Sequence, residues 1–194
     1  MISKLIKKKS IIKIDKVDKE HMSAILHIAD KQLGQDYINS DDFIQDDFIK
    51  LQASIYNKIV GFITAKELNI EELYKKIPNL KEKNLKQLSI TNKINYIGSV
   101  ATDSIYEGRG VATALYNQVF KELNKDNNII LMTGWKSKKG INIDGIAKRL
   151  GFVKILEVKE YWKEDSIKNK YDCPICKNPC LCSAIIYLKH NNSI

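Results

Sequence analysis

No apolar run in this chain approaches the roughly 18 residues that a membrane-spanning helix needs, so no such span is expected. The basic start, Met1 to Lys9, is not followed by an apolar stretch of signal-peptide length, and the expectation is a soluble, cytoplasmic protein. Internal repeats and low-complexity tracts are absent, which excludes a solenoid. Cysteine is absent before position 173, so no disulfide framework can staple the body of the chain. Acidic residues are in deficit, 23 against 32 Lys and Arg, for a net charge of +9. That balance favours an anionic ligand, a nucleic acid or an acidic protein surface without choosing among them.

What is present suffices for one sizeable core. With 194 residues and 44% hydrophobic content, the expectation is a single domain over residues 1–194. Ser10 to Ile14 reads as a first strand, and Lys19 to Leu33 as a helix with Gly34 at its C-cap. Ser40 to Ile49 opens with N-cap chemistry and acids, the pattern of a second short helix. Leu51 to Ile55 and Ile59 to Ala65 alternate about Asn57-Lys58, which predicts a hairpin. Residues 68–93, broken at Pro78 and helical again over Leu80 to Leu88, read as a helical insertion lying over the sheet. Asp144 to Leu150 predicts a short helix stopped by Gly151, with strands at Phe152 to Glu160 and Ser183 to Leu188.

The most informative stretch is a strand, Tyr96 to Thr102, then Asp103-Ser104-Ile105-Tyr106-Glu107-Gly108-Arg109-Gly110-Val111-Ala112-Thr113-Ala114-Leu115, then a second strand ending at Thr133-Gly134-Trp135. Gly108 and Gly110 remove side chains where strand turns into helix. The amides of Gly108, Arg109, Gly110, Val111, Ala112 and Thr113 can then converge on an anion. Val111, Ala114, Leu115, Val119 and Leu123 share one face of that helix and would pack on the sheet. A dinucleotide site wants an acid at the end of the next strand, and a P-loop wants Gly-Lys-Ser/Thr. Neither is there.

Val100 to Leu115 resembles the acetyl-CoA-binding motif of the GNAT acetyltransferase superfamily, a strand followed by Arg/Gln-x-x-Gly-x-Gly/Ala and a helix. The match is Gly110-Val111-Ala112, while Glu107 stands where Arg or Gln is usual. Leu150-Gly151-Phe152 is similar to the family's helix-to-strand corner, and the element order matches from about residue 10 to 190. The resemblance implies an α/β (α+β) fold, a mixed, mostly antiparallel sheet flanked by helices. It also implies an acetyl-CoA pyrophosphate on the amides of 108–113, with the pantetheine arm along Val100, Ala101 and Thr102. The implied reaction is direct attack of an amine, on a small molecule or a protein, upon the thioester. The family's acid, often a Tyr, maps to Ala147, which cannot donate a proton.

Catalytic candidates are few. Tyr96 would face a cleft if the strand alternates, although a core or rim tyrosine explains it as well. Asp103 reads as a turn cap, Trp135 as a cleft or core residue, and His21, His27 and His190 as structural or solvated. Lys136, Lys138 and Lys139 could meet phosphates or an acidic acceptor, or simply be solvated.

Cys173-Pro-Ile-Cys176 and Cys180-Leu-Cys182 form two close thiol pairs within a loop over residues 171–182. Four thiolates at this spacing suit one tetrahedral ion, and structural Zn2+ is the expected occupant, with iron–sulfur ligation, redox thiols and unliganded cysteines as the alternatives. A closed four-thiolate site has no open position for catalysis. A nucleic-acid-binding zinc knuckle is a rival reading, disfavoured by scattered lysines and only Tyr171 beside the cluster. Ala147 and Glu107 sustain another, a catalytically silent CoA-binding sensor. The expected partners are acetyl-CoA and an amine acceptor, with no membrane, and the expected state is a monomer or homodimer.

Overall fold

The computed structural model describes residues 11–43, 48–83, 88, 93–127, 129–138 and 140–191. Its centre is an eight-stranded sheet. The strands are β1 (Lys13–Lys16), β2 (Phe48–Ile55), β3 (Lys58–Asn69), β4 (Lys93–Thr102), β5 (Ile129–Ser137), β6 (Gly140–Ile141), β7 (Val153–Val158) and β8 (Ser183–His190). They lie in the order β1-β2-β3-β4-β5-β8-β7, with β6 against β5. Among the described residues every pairing is antiparallel except β4 with β5. This is the mixed, mostly antiparallel sheet that the motif order implied.

Helix α1 (Met22–Gln32) packs Ile25, Ile28 and Ala29 onto Phe62 and Ala101. The predicted helix of Lys19 to Leu33 is divided, because Asp18 caps a 3-10 turn at Lys19–His21 before the α-helix begins. A larger correction falls at Ser40 to Ile49. Ser40–Phe43 is a single 3-10 turn, and Phe48 and Ile49 already belong to β2, paired with Lys66 and Ala65. Residues 44–47 lie outside the described residues. The acidic cap chemistry was local, and pairing with β3 overrides helical propensity at Phe48.

The insertion contains α2 (Ile70–Lys76) and α3 (Asn79–Glu82). A capping box starts α2: the Asn69 side chain accepts from the Glu72 amide, and Glu72 accepts from the Asn69 amide. Leu73, Ile77, Leu80 and Leu88 are fully buried against Ile94, Leu131 and Ile186. Each such side chain stabilises the fold by about 1.5–3 kcal/mol, enough to hold a polar segment on the sheet. Residues 84–87 of the predicted second stretch, and 89–92 after it, lie outside the described residues.

Helix α4 (Val111–Glu122) runs across the opposite face. Val111, Leu115, Val119 and Leu123 form its buried stripe over Leu51, Val60 and Ile63, joined by Tyr116; Ala114 is only half-buried. Helix α5 (Asp144–Arg149) follows β6, and Phe152, after Gly151 at φ 80°, returns the chain to the sheet. The strand expected from Phe152 to Glu160 is shorter, Val153–Val158, and is followed by an unanticipated helix, α6 (Lys163–Asn169).

Candidate active site and cysteine centre

Among the described residues β4 and β5 pair only at Asn95/Ile130, Tyr96/Leu131 and Ile97/Met132, and beyond that point no pairing joins them. The cause lies partly in β4, where two steps along β3, Ile63 to Ala65, face three along β4, Val100 to Ile97. The extra residue is a bulge at Gly98-Ser99, which adds twist and bends the strand. Thr64 holds it: its hydroxyl oxygen accepts from the Ser99 amide at 2.9 Å and stands 2.9 Å from where a Cβ on Gly98 would be. Two cavities open on either side of the parting.

The first, of about 600 Å3, lies between the start of α4 and α5. Gly110, at φ 89°, is the N-cap of α4 and offers no side chain to its first amides. Gly108 sits at φ 70°, and a Cβ on either glycine would meet nothing within 4 Å, so the turn is open rather than packed. Donors at a helix start with open space before them suit an anion. The turn is braced: Asp103 accepts from the Ile105 amide at 3.1 Å, as its cap reading predicted, and Arg109 stacks on Tyr106 at 5.3 Å. Val100, Ala101, Thr102, Gly108, Gly110, Val111, Ala112 and Thr113 all line this cavity; Arg109 does not. Glu107 lines it too and places an acid where an anion would sit. Arg149 lines it from α5, a cation that no sequence motif marked.

The second cavity, of about 370 Å3, lies on the opposite side, beneath α2 and the segment 161–180. Its walls are aromatic: Tyr37, Tyr96, Trp135, Tyr161, Trp162 and Tyr171. Lys75, Lys76 and Asp165 bring charge to it. The Tyr96 phenol hydrogen-bonds the Thr133 hydroxyl at 2.9 Å, and burial pushes its pKa up to about 12, with Thr133 opposing. At neutral pH it therefore holds its proton. Leu33, Val100, Trp135, Asn142 and Ile143 line both cavities, which meet across the parting. Of the lysines in the basic loop, Lys136 is bound to Glu157 at 2.7 Å and Lys138 is exposed away from both cavities. Lys139 lies outside the described residues. His21 holds Gln52 at 3.0 Å, far from this chemistry. Ala147 is fully buried in the core.

The four cysteines converge. Sγ atoms of Cys173 and Cys182 are 3.9 Å apart, Cys176 and Cys180 3.8 Å, and Cys176 and Cys182 3.7 Å, with all four within 4.8 Å of one another. Those separations rule out disulfides, whose sulfurs lie about 2.05 Å apart. They match the edges of a tetrahedron around an ion with bonds of about 2.3 Å, which are about 3.8 Å. Amides of Ile175 and Leu181 donate to Cys173 and Cys176 sulfurs at 3.5 and 3.2 Å. The donor set and its spacing thus fit zinc. Cys173 and Cys180 line the aromatic cavity, and Trp135 and Trp162 pack on the cluster. The α6 helix serves this loop: buried Ser166 accepts from the Cys180 amide at 2.8 Å, and Asn178 donates to the Ser166 carbonyl at 2.7 Å.

A parted parallel strand pair, a glycine-led helix start and two cavities meeting at the gap define a mixed α/β protein with its candidate site in a split sheet. The Acetyltransferase (GNAT) family matches residues 17–142, and the chain belongs to that family. No curated protein sequence matches it. Among solved structures, it is similar to NAA60 of Arabidopsis thaliana in complex with a bisubstrate analogue, at 16% identity, covering 93% of this chain and 98% of that one, with a TM-score of 0.66. It is also similar to Ard1 of Thermoplasma volcanium, at 13% identity, 94% and 99% coverage and a TM-score of 0.63. The ribosomal-protein-S18-alanine N-acetyltransferase of Escherichia coli matches at 15% identity, 95% and 96% coverage and a TM-score of 0.60. At these identities the likeness is one of fold.

Proposed function

We propose that this protein is an acetyl-CoA-dependent N-acetyltransferase, acting on an amine of a small molecule or a protein by direct attack. The observation that carries the reading is the parting of β4 from β5 beyond Ile97 and Met132, with an anion-suited helix start on one side and an aromatic cavity on the other. In this reading the amides at 108–113 hold the pyrophosphate, with Arg149 as the countercharge. The pantetheine arm adds to the edge of β4 at Val100, Ala101 and Thr102, which β5 leaves unpaired.

Acetyl-CoA brings an activated carbonyl, and the chain supplies position and polarity. The acyl group lies at the junction by Val100 and Trp135, and the acceptor amine approaches from the aromatic side. Holding the two reactants at one gap replaces a bimolecular encounter with an oriented one. The Val100 amide, next along from the bulge that Thr64 fixes, suits the oxygen that gains charge during attack. Tyr96, kept protonated, orients Thr133 at the cavity wall. The cysteines would hold structural Zn2+, which closes the loop on the acceptor side and leaves no position for substrate.

A catalytically silent CoA sensor is the second reading, favoured by the alanine at 147. A free-thiol release assay over a panel of primary amines separates the two. Amine-dependent release of CoA supports the enzyme; binding of acetyl-CoA without release by any amine supports the sensor. The nucleic-acid reading has less behind it, because Cys173, Cys180 and Cys182 are buried and turned into the protein.

A further inference from the structure

We propose that the acceptor is a free α-amino acid with an aromatic side chain, its carboxylate received by Lys76. The inference rests on the acetyltransferase reading above and names the acceptor for the same site.

The aromatic cavity carries positive charge that the chain itself does not answer. Lys75 and Lys76, in the last turn of α2, both line it, and among the described residues neither joins an ion pair. Glu72, one turn before Lys76, is taken up by the Asn69 amide. Asp165, the one carboxylate lining the cavity among the described residues, accepts from Asn169 at 2.7 Å. Lys76 does not simply point into solvent: its ammonium lies over the Tyr96 ring, 5.3 Å from the centroid, and Tyr96 is only 4% exposed. Burial raises the pKa of Tyr37, on the cavity wall, and the Lys76 charge opposes that shift. A cation held on an aromatic face without a carboxylate beside it attracts an anionic group. With Lys75 it also repels an acceptor that carries a second ammonium, such as a polyamine.

Size and spacing narrow the acceptor further. A cavity of about 370 Å3 with aromatic walls suits a small molecule with a flat ring, which Tyr37, Tyr161 and Trp162 can contact by face or edge. The Tyr96 ring reaches within 4.0 Å of where a Cβ on Gly98 would be. Gly98 precedes Val100, at the acyl junction, by two positions, at most about 7 Å along the strand. An ammonium over Tyr96 and a thioester at Val100 therefore suit a carboxylate and an amine borne on one carbon. The amine nitrogen bonds to the thioester carbon, the carbon–sulfur bond breaks with its electron pair on sulfur, and the proton shed by nitrogen passes through solvent to sulfur. The products are the N-acetyl amino acid and CoA, and the carboxylate is unchanged.

The test separates binding from turnover. N-acetylphenylalanine and N-acetylphenethylamine, which differ only in the carboxylate, are titrated by calorimetry into the full-length wild type, Lys76→Gln and Lys76→Arg. The wild type is expected to prefer the carboxylate by about 10-fold, as one charge-assisted contact allows. Lys76→Gln should lose that preference and Lys76→Arg keep it. In the thiol-release assay, wild-type kcat/KM for phenylalanine should exceed that for phenethylamine and for phenylalanine amide by about 10-fold. Equal affinity for the two probes in the wild type, or a preference that survives in Lys76→Gln, would overturn the inference. So would a kcat/KM for phenethylamine or phenylalanine amide that equals or exceeds that for phenylalanine. Selective binding of N-acetylphenylalanine without CoA release by any amine would instead overturn the acetyltransferase reading, and the acceptor assignment with it.

Discussion

Gln35 and Asp172 exchange both of their backbone hydrogen bonds, at 3.0 and 3.1 Å, and so tie the loop after α1 to the cysteine loop. Gly34, at φ 143°, permits the approach, since a Cβ there would stand 2.8 Å from the Asp172 carbonyl oxygen. Tyr37 and Tyr171 meet edge to face beside this bridge, ring centroids 5.0 Å apart. Both tyrosines line the aromatic cavity, as do Cys173 and Cys180. The cysteine centre therefore shapes the aromatic cavity, while the glycine turn lies on the other side of the parting.

Chelation, or Cys176→Ser, is expected to lower the melting temperature by on the order of 10 °C, since a structural metal contributes folding free energy. Acetyl-CoA affinity by calorimetry should stay within about 2-fold, and the acceptor KM should rise. Unchanged melting after verified metal loss would remove the structural role.

Much of this site was legible in the sequence. Gly108 and Gly110 stand out because only glycine takes those positive φ angles cheaply, and the cysteine pairs because metal geometry dictates their spacing. Helix α6 was invisible for a physical reason: of its residues only Ser166 is buried, so no apolar period marks it. Arg149 and Asn142 matter through what the fold brings beside them, which no local pattern encodes.

Glu107→Arg should tighten acetyl-CoA binding. The present carboxylate lines the anion cavity, and exchanging its charge removes repulsion and adds attraction near the helix start. A gain of about 3- to 10-fold in affinity is expected at low salt, shrinking as ionic strength rises. Calorimetry at two salt concentrations checks both parts.

Thr64→Val tests the bulge. Without the hydroxyl, the Ser99 amide loses its acceptor, at a cost of about 1–3 kcal/mol to stability. Turnover in the thiol-release assay should fall more than acetyl-CoA affinity, because the anion turn is untouched. Equal losses in both would show that Thr64 supports the fold and has no particular hold on the reacting carbonyl.

Acid stability has a definite source at the base of the parted strands. Glu67 accepts from Lys93, from Asn124 at 2.9 Å and from Asn127 at 2.7 Å, and these bonds, led by Lys93, lower its pKa to about 2. A depressed carboxylate stabilises fully above its unfolded pKa and loses that contribution as pH falls toward the folded value. Glu67→Gln is thus expected to melt below wild type at pH 7, with the gap closing between about pH 4.5 and 2.

The measurement that bears most directly on the account is calorimetric titration of acetyl-CoA into the wild type and Gly110→Val. One-to-one binding in the micromolar range is expected for the wild type, weakened about 10-fold or more in the variant, since valine resists a φ of 89° and disturbs the amides of the turn. Absence of binding to the wild type at millimolar acetyl-CoA, or equal affinity in the two proteins, would contradict it.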